Sequence, residues 1–173
     1  MVLHFGKDVK LAELISRMQK AKPTTILFSG SARDIRDLPQ DVRKATLLFG
    51  GEDGTWSAAD GDWPVPVYAA TAFVVDKTIP RTAVFADKFR AAYKVEPTVH
   101  SALTYDAIGL LVEAVRQAPS EKPEAIRDEL ARLQKFPGLT GPLSLSSEGH
   151  CQRPAFVVRL EGKTAALSQK YDP

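Results

Sequence analysis

The 173-residue sequence has one cysteine, Cys151, which excludes an intrachain disulfide and a multi-cysteine metal cluster and leaves the redox compartment unspecified. A lone, semi-buried thiol is the expected state of that side chain. Histidine is almost as scarce. His4, His100 and His150 stand in unrelated contexts, none at helical spacing from another histidine or from the cysteine, so no zinc site is expected. His150 and Cys151 are neighbours, but adjacent residues in a turn rarely face each other and do not make a nucleophile–base pair. Charge of one sign is lacking too. Lys and Arg number 23 against 21 Asp and Glu, a net charge of +2, too small an excess to drive binding to a phosphate backbone despite a pI of about 8.7; nucleic acid is not an expected partner. The first residues, Met1-Val2-Leu3-His4-Phe5-Gly6-Lys7, show no apolar core after a basic start, so no signal peptide is expected in this chain. GxGxxG, Walker A and GxSxG segments are absent. Glu52-Asp53 and Asp60-Gly61-Asp62 lack the D-x-D-x-D-G spacing with a distant Glu of a calcium loop. With no nucleophile, tuned base or cofactor cradle, the expectation is a non-catalytic protein without cofactor or metal.

What is there has globular proportions: 44% hydrophobic and 25% charged residues, and a mean hydropathy of -0.16 that argues against a membrane span. The length suits one ordinary domain, or two small ones sharing secondary structure. Over residues 8–20, Leu11, Leu14, Ile15 and Met18 recur at i, i+3, i+4 and i+7, which predicts an amphipathic helix ended by Lys22-Pro23. Residues 24–28 form a short apolar run closed by Ser29-Gly30 and predict a strand buried on both faces of a parallel sheet. Ser31 and Asp34 have capping spacing for a short helix to about residue 43. Further buried strands are predicted over residues 45–49 and 67–73, the latter bounded upstream by Pro64 and Pro66. Helices follow: one with Phe85, Phe89, Ala92 and Tyr93 on a face, one over residues 99–117 with Leu103, Ala107, Leu110, Leu111 and Ala114 as its stripe, and one opening at Ser120 with Ile126, Leu130 and Leu133. Residues 136–142 read as a turn-rich connector, 143–146 as a short strand, 155–160 as a longer one, and Glu161-Gly162-Lys163 as a hairpin turn into 164–167. The fold class is therefore α/β: a partial doubly wound parallel sheet followed by helices and a small β-meander.

Ligands of open α/β sheets bind beyond the carboxyl ends of the strands. Two strand ends here carry suitable chemistry. Ser29, Gly30, Ser31 and Ala32 offer hydroxyls and bare backbone; Gly50-Gly51-Glu52-Asp53-Gly54-Thr55-Trp56 offers two carboxylates suited to an ammonium group and an indole that can cover an apolar or cationic portion. The same residues also suit plain turn and capping chemistry, and the pattern alone leaves both readings open.

In order along the chain, several segments resemble the branched-chain amino acid (Leu/Ile/Val) binding family of type I periplasmic binding proteins. The helix from Asp8 with Lys22-Pro23-Thr24-Thr25-Ile26-Leu27-Phe28-Ser29-Gly30 is similar to its opening unit, Phe85, Phe89, Tyr93 and Pro97 to its aromatic helix, and Tyr105-Asp106-Ala107 to its Tyr-Asp-Ala helix. Ala114, Ala118 and Ser120 resemble that helix's end. Ile126-Arg127, Leu130, Phe136, Gly138-Leu139-Thr140-Gly141-Pro142-Leu143-Ser144, Glu148-Gly149, Pro154, Val157-Val158 and Gly162-Lys163 continue the match. The family's fold is two α/β lobes joined by a hinge crossed three times, with ligand held in the cleft.

The resemblance implies that residues 8–76 form part of the second lobe's sheet and 80–173 the return helices and hinge tail, with the first lobe absent. It implies that Glu52, or Asp53 in the alternative register, receives a ligand's α-ammonium. The family's aromatic at the first strand end is replaced by Ser31 and Ala32, which favours a smaller or more polar ligand, with Trp56 in partial compensation. The implied function is the ligand-binding portion of a periplasmic or extracytoplasmic solute-binding protein, taking an amino acid or amide-like ligand and serving an ABC permease. The alternative is a regulatory or sensor module that completes its sheet by dimerisation or with a partner. A homo-oligomer is expected, because a truncated sheet leaves an unpaired edge and an apolar face.

Overall fold

The computed structural model describes residues 11–28, 38–44, 46–49, 63–76, 78–162 and 164–172. It divides into two compact units: one holds the described residues up to Ala70 with Val158–Ala166, the other Thr71–Val157 with the described residues from Leu167 onward.

In the first unit, helix α1 (Leu11–Ala21) forms as its periodicity requires. Leu14 is buried, Ile15 and Met18 are half-buried, and Glu13 pairs with Arg17 at 2.9 Å on the exposed side. Lys22 ends the helix in the left-handed region at φ 46, its N–H donating to the Met18 carbonyl at 3.0 Å, and Pro23 prevents continuation. The helix packs against a 3-10 turn, Val42–Lys44, which is the described end of the span expected as a capped helix; Leu38 and Val42 are buried.

Strands β1 (Thr25–Phe28), β2 (Thr46–Phe49) and β3 (Trp63–Thr71) are parallel neighbours in a five-stranded sheet that continues with β7 (Ala155–Gly162) and β8 (Thr164–Tyr171), in the order β1-β2-β3-β7-β8. Four expectations are corrected here. The apolar run of β1 is not buried on both faces, for Leu27 is 76% exposed. A run of apolar residues permits two-sided burial, but the layers above and below decide it, and β1 is an edge strand among the described residues. Pro64 and Pro66 lie inside β3 instead of bounding it. Both fall in the opening residues of β3, where extended backbone accommodates proline's fixed φ, and the register with β2 at Leu47↔Val67, Leu48↔Tyr68 and Phe49↔Ala69 lies C-terminal to them. From there burial alternates, Val67, Ala69 and Thr71 being buried. The strand also stops at Thr71, two residues early, where the Thr71 hydroxyl accepts from the Phe73 N–H at 3.3 Å. The tail runs longer than expected, β8 reaching Tyr171.

In the second unit, helix α2 (Pro80–Tyr93) has Pro at its first position and ends at Lys94, φ 60. Helix α3 (Val99–Gln117) opens with a capping box: the Thr98 hydroxyl accepts from the Ser101 N–H and the Ser101 hydroxyl from the Thr98 N–H, both at 3.3 Å. Helix α4 (Pro123–Arg132) begins at Pro123 and not at Ser120, since proline's fixed φ suits the first helical position and Lys122 takes the cap. Its Ile126 and Leu130, with Leu133 beyond it, pack on Leu110 and Ala114 of α3 and on Leu143.

The buried line of α3 is Ala102, Asp106, Leu110 and Ala114, whereas Ala107 and Leu111 are exposed. The expected stripe was wider than its neighbours cover, and docking of α4 and the following turn selected the line with an aspartate at its centre. The expected connector is itself a hairpin: β4 (Phe136–Gly138) pairs antiparallel with β5 (Gly141–Leu145) across a two-residue turn, and β6 (Cys151–Gln152) pairs with β5. Cys151 is exposed instead of semi-buried, because β6 is a two-residue strand at the rim of this small sheet.

Candidate functional site

Every residue of the sequence-derived ligand site, namely Ser29, Gly30, Ser31, Ala32, Glu52, Asp53 and Trp56, lies outside the described residues. The structure does describe the strands that lead into them. Phe28 and Phe49 are the last residues of β1 and β2 and are Cα partners on adjacent parallel strands, which sets them about 4.8 Å apart in the hydrogen-bonding direction. Both segments therefore leave the sheet from the same carboxyl edge. Phe49 in turn partners Ala69, close to the end of β3, so three consecutive strand ends share the edge at which open α/β sheets bind ligands.

The most completely built polar cluster among the described residues is in the second unit. Asp106 of α3 is buried at 3% exposure. One carboxylate oxygen accepts from the Leu139 N–H at 2.6 Å; the other accepts from the Thr140 N–H at 3.0 Å and from the Thr140 hydroxyl at 2.6 Å. Three donors meet the two carboxylate oxygens, so the group latches the β4–β5 turn to α3. The approach is close: a Cβ on Gly138 would lie 2.9 Å from the Asp106 carboxyl carbon and 2.8 Å from a Leu143 methyl. Gly141 takes φ +110, and a side chain there would meet Pro154. Sequence reasoning treated Tyr105-Asp106-Ala107 and Gly138-Leu139-Thr140-Gly141 as separate motifs and missed their contact. The signal available was an aspartate at the buried spacing of an apolar helix.

Beside this latch lies a groove of about 1200 Å³ between α2 and α3, whose lining includes Val84, Phe85, Phe89, Tyr105, Ile108 and Phe136. Phe85 is its aromatic hub, with ring centroids 5.9 Å from Phe73, 5.7 Å from Phe89 and 5.3 Å from Tyr105. Electrostatic perturbations sit at the ends of α2. Hydrogen bonds from the Thr78 hydroxyl and then the Thr78 N–H hold the Asp76 carboxyl below its ordinary value. A hydrogen bond from Arg90, 2.8 Å away, does the same for Glu96. Among the described residues no group of three or more His, Cys, Asp or Glu is placed to hold a metal ion, and no helix is long and apolar enough to cross a membrane.

A family model described as periplasmic binding protein matches residues 7–165. The chain belongs to the periplasmic binding protein family. Solved structures of similar fold include the leucine-binding protein LivK from Thermotoga maritima, 20% identical, with a TM-score of 0.76 over 99% of this chain and 51% of that one. An ABC-transporter solute-binding protein from R. palustris, in complex with benzoate, is 21% identical with a TM-score of 0.76, over 96% of this chain and 48% of that one. The branched-chain amino acid transporter substrate-binding protein LivJ from Streptococcus pneumoniae, in complex with isoleucine, is 20% identical with a TM-score of 0.70, over 97% and 51%. This periplasmic binding protein chain thus spans about half the length of the solved structures it matches. The family and α/β fold expected from the motif order are borne out, and the fold is that of ABC-transporter solute-binding proteins.

Proposed function

We propose that this chain is the ligand-binding portion of an extracytoplasmic solute-binding protein that delivers an amino-acid-type ligand to an ABC importer and performs no chemistry itself. The observation that carries this reading is the common carboxyl edge of β1 and β2, reached in register at Phe28↔Phe49, from which both candidate segments depart. Glu52, or Asp53 in the neighbouring register, receives the ligand's ammonium. Ser29, Gly30, Ser31 and Ala32 supply polar contacts, and Trp56 covers the ligand. The first lobe completes the cleft, and the ABC permease is the partner of the whole protein.

Calorimetry tests this in a chain long enough to carry both lobes, titrated with leucine, isoleucine, valine and smaller polar amino acids. Glu52→Ala should weaken the ligand that binds by about 10- to 100-fold, the worth of a hydrogen bond to a charged group, without lowering the melting temperature of the ligand-free protein. Unchanged affinity in both Glu52→Ala and Asp53→Ala removes the assigned role. A second reading, a regulatory or sensor module of the same fold that completes itself with a partner, is supported by the exposed edge strand β1 and its Leu27.

A further inference from the structure

A smaller cavity lies wholly within the second unit and shares no residue with the sequence-derived ligand site. Its volume is about 300 Å³, the small end of the range for ligand pockets. Its charge sets it apart. Arg81 in the first turn of α2, Lys135 just before β4 and Lys170 near the end of β8 line it, and among the described residues no aspartate or glutamate does. Elsewhere in this unit cations are matched: Arg90 pairs with Glu96, Arg127 with Asp128 and Arg132 with Glu129. At the cavity only Lys170 has a carboxylate, Asp172 at 2.6 Å. Arg81 and Lys135 have none among the described residues.

The cations are set by the backbone around them. One Arg81 nitrogen donates to the Pro137 and Gly138 carbonyls, which holds the planar guanidinium at the cavity and leaves the donors of its other nitrogens unspent. Lys135 takes the left-handed region at φ 54, its N–H donating to the Ser144 hydroxyl at 3.0 Å. Beneath the charges the lining is apolar: Leu139 and Phe156 are 8% and 3% exposed, and Pro142 stands beside them. Charges of one sign on low-dielectric walls focus their potential into a cleft and draw a counter-ion there. A guanidinium fork matches the two oxygens of a carboxylate. The apolar floor selects a hydrocarbon body, because a fully hydrated anion would lose water there without gaining a partner.

We propose that this cavity binds a small monocarboxylate with a compact hydrocarbon body, its carboxylate held by Arg81 and Lys135 and its body lying over Leu139 and Phe156. The proposal is independent of the role assigned to Glu52.

The test is amide-proton NMR of the 173-residue chain, titrated at constant ionic strength with sodium cyclohexanecarboxylate, with its uncharged counterpart cyclohexanecarboxamide, and with inorganic phosphate. The carboxylate should shift the backbone amides of Leu139, Gly141 and Phe156 saturably. It should bind at least about tenfold more tightly than the carboxamide or phosphate, the worth of one hydrogen bond to a charged group. Lys135→Gln should weaken binding about three- to fivefold, as for an exposed ion pair, and Lys135→Glu should abolish it. The circular dichroism spectrum and melting temperature should not change, because Lys135 is exposed. Lys170→Glu gives the same check from another strand should Lys135→Glu misfold. Glu52→Ala should leave this binding intact, which separates it from the amino-acid site. Any of four results overturns the proposal: no saturable shift at these amides, a carboxamide that binds as well, phosphate that binds as tightly, or binding that survives both Lys135→Glu and Lys170→Glu.

Discussion

Asp106 shows how far one side chain can organise the second unit. Its carboxylate is the acceptor for two turn N–H groups and a hydroxyl, so Asp106→Ala leaves buried donors unpartnered and should cost about 3–5 kcal/mol. Asp106→Asn keeps one acceptor oxygen and should cost roughly half as much by the same accounting. Urea unfolding measures both, and equal stability of the alanine variant and the parent would show that the turn holds without its latch. Asp76 gives a pH prediction. Thr78 depresses its folded pKa, so its contribution is complete above the pKa of an unfolded aspartate and is lost as the pH falls through the folded value. The stability difference between the parent and Thr78→Ala should therefore be present at neutral pH and shrink on acidification. A difference that stays constant down to the acid transition sinks this account. Glu96, depressed by Arg90, has the same sign, but it is exposed and its share is discounted by solvent screening.

At the scale of elements, local chemistry placed the helices well and their buried lines poorly. The capping box at Thr98 and Ser101 starts α3, and Thr98→Ala should cost about 1 kcal/mol in thermal or urea unfolding. No change in stability would mean that packing alone sets that end. The line along α3 that is buried was not legible, because Leu103, Ala107 and Leu111 are as apolar as Ala102, Leu110 and Ala114. Contact with α4 and with the β4–β5 turn chose between them. Residues 136–142 are a similar case. Two prolines and two glycines in seven residues read as a connector, yet the pairing Gly138↔Gly141 and the Asp106 carboxylate make a hairpin of them. Local turn propensity could not announce a partner 33 residues away.

For the whole molecule, the informative quantity is the chain's size relative to its fold. A family model matches residues 7–165, and the chain spans about half the length of solved structures of the same fold, so the Glu52 titration is read in a chain that carries both lobes. The strand ends that lead into the candidate site were legible because a buried parallel strand is a continuous apolar run closed by glycine. What those runs could not reveal was exposure, as Leu27 demonstrates. By itself the sequence determined the α/β class, the order of elements and the family, since periodicity, capping and motif order are properties of neighbours along the chain. Only the tertiary structure decided the burial of Asp106, the hairpin it holds, the edge position of β1 among the described strands and the groove between α2 and α3, because each depends on which distant surface arrives to cover a residue.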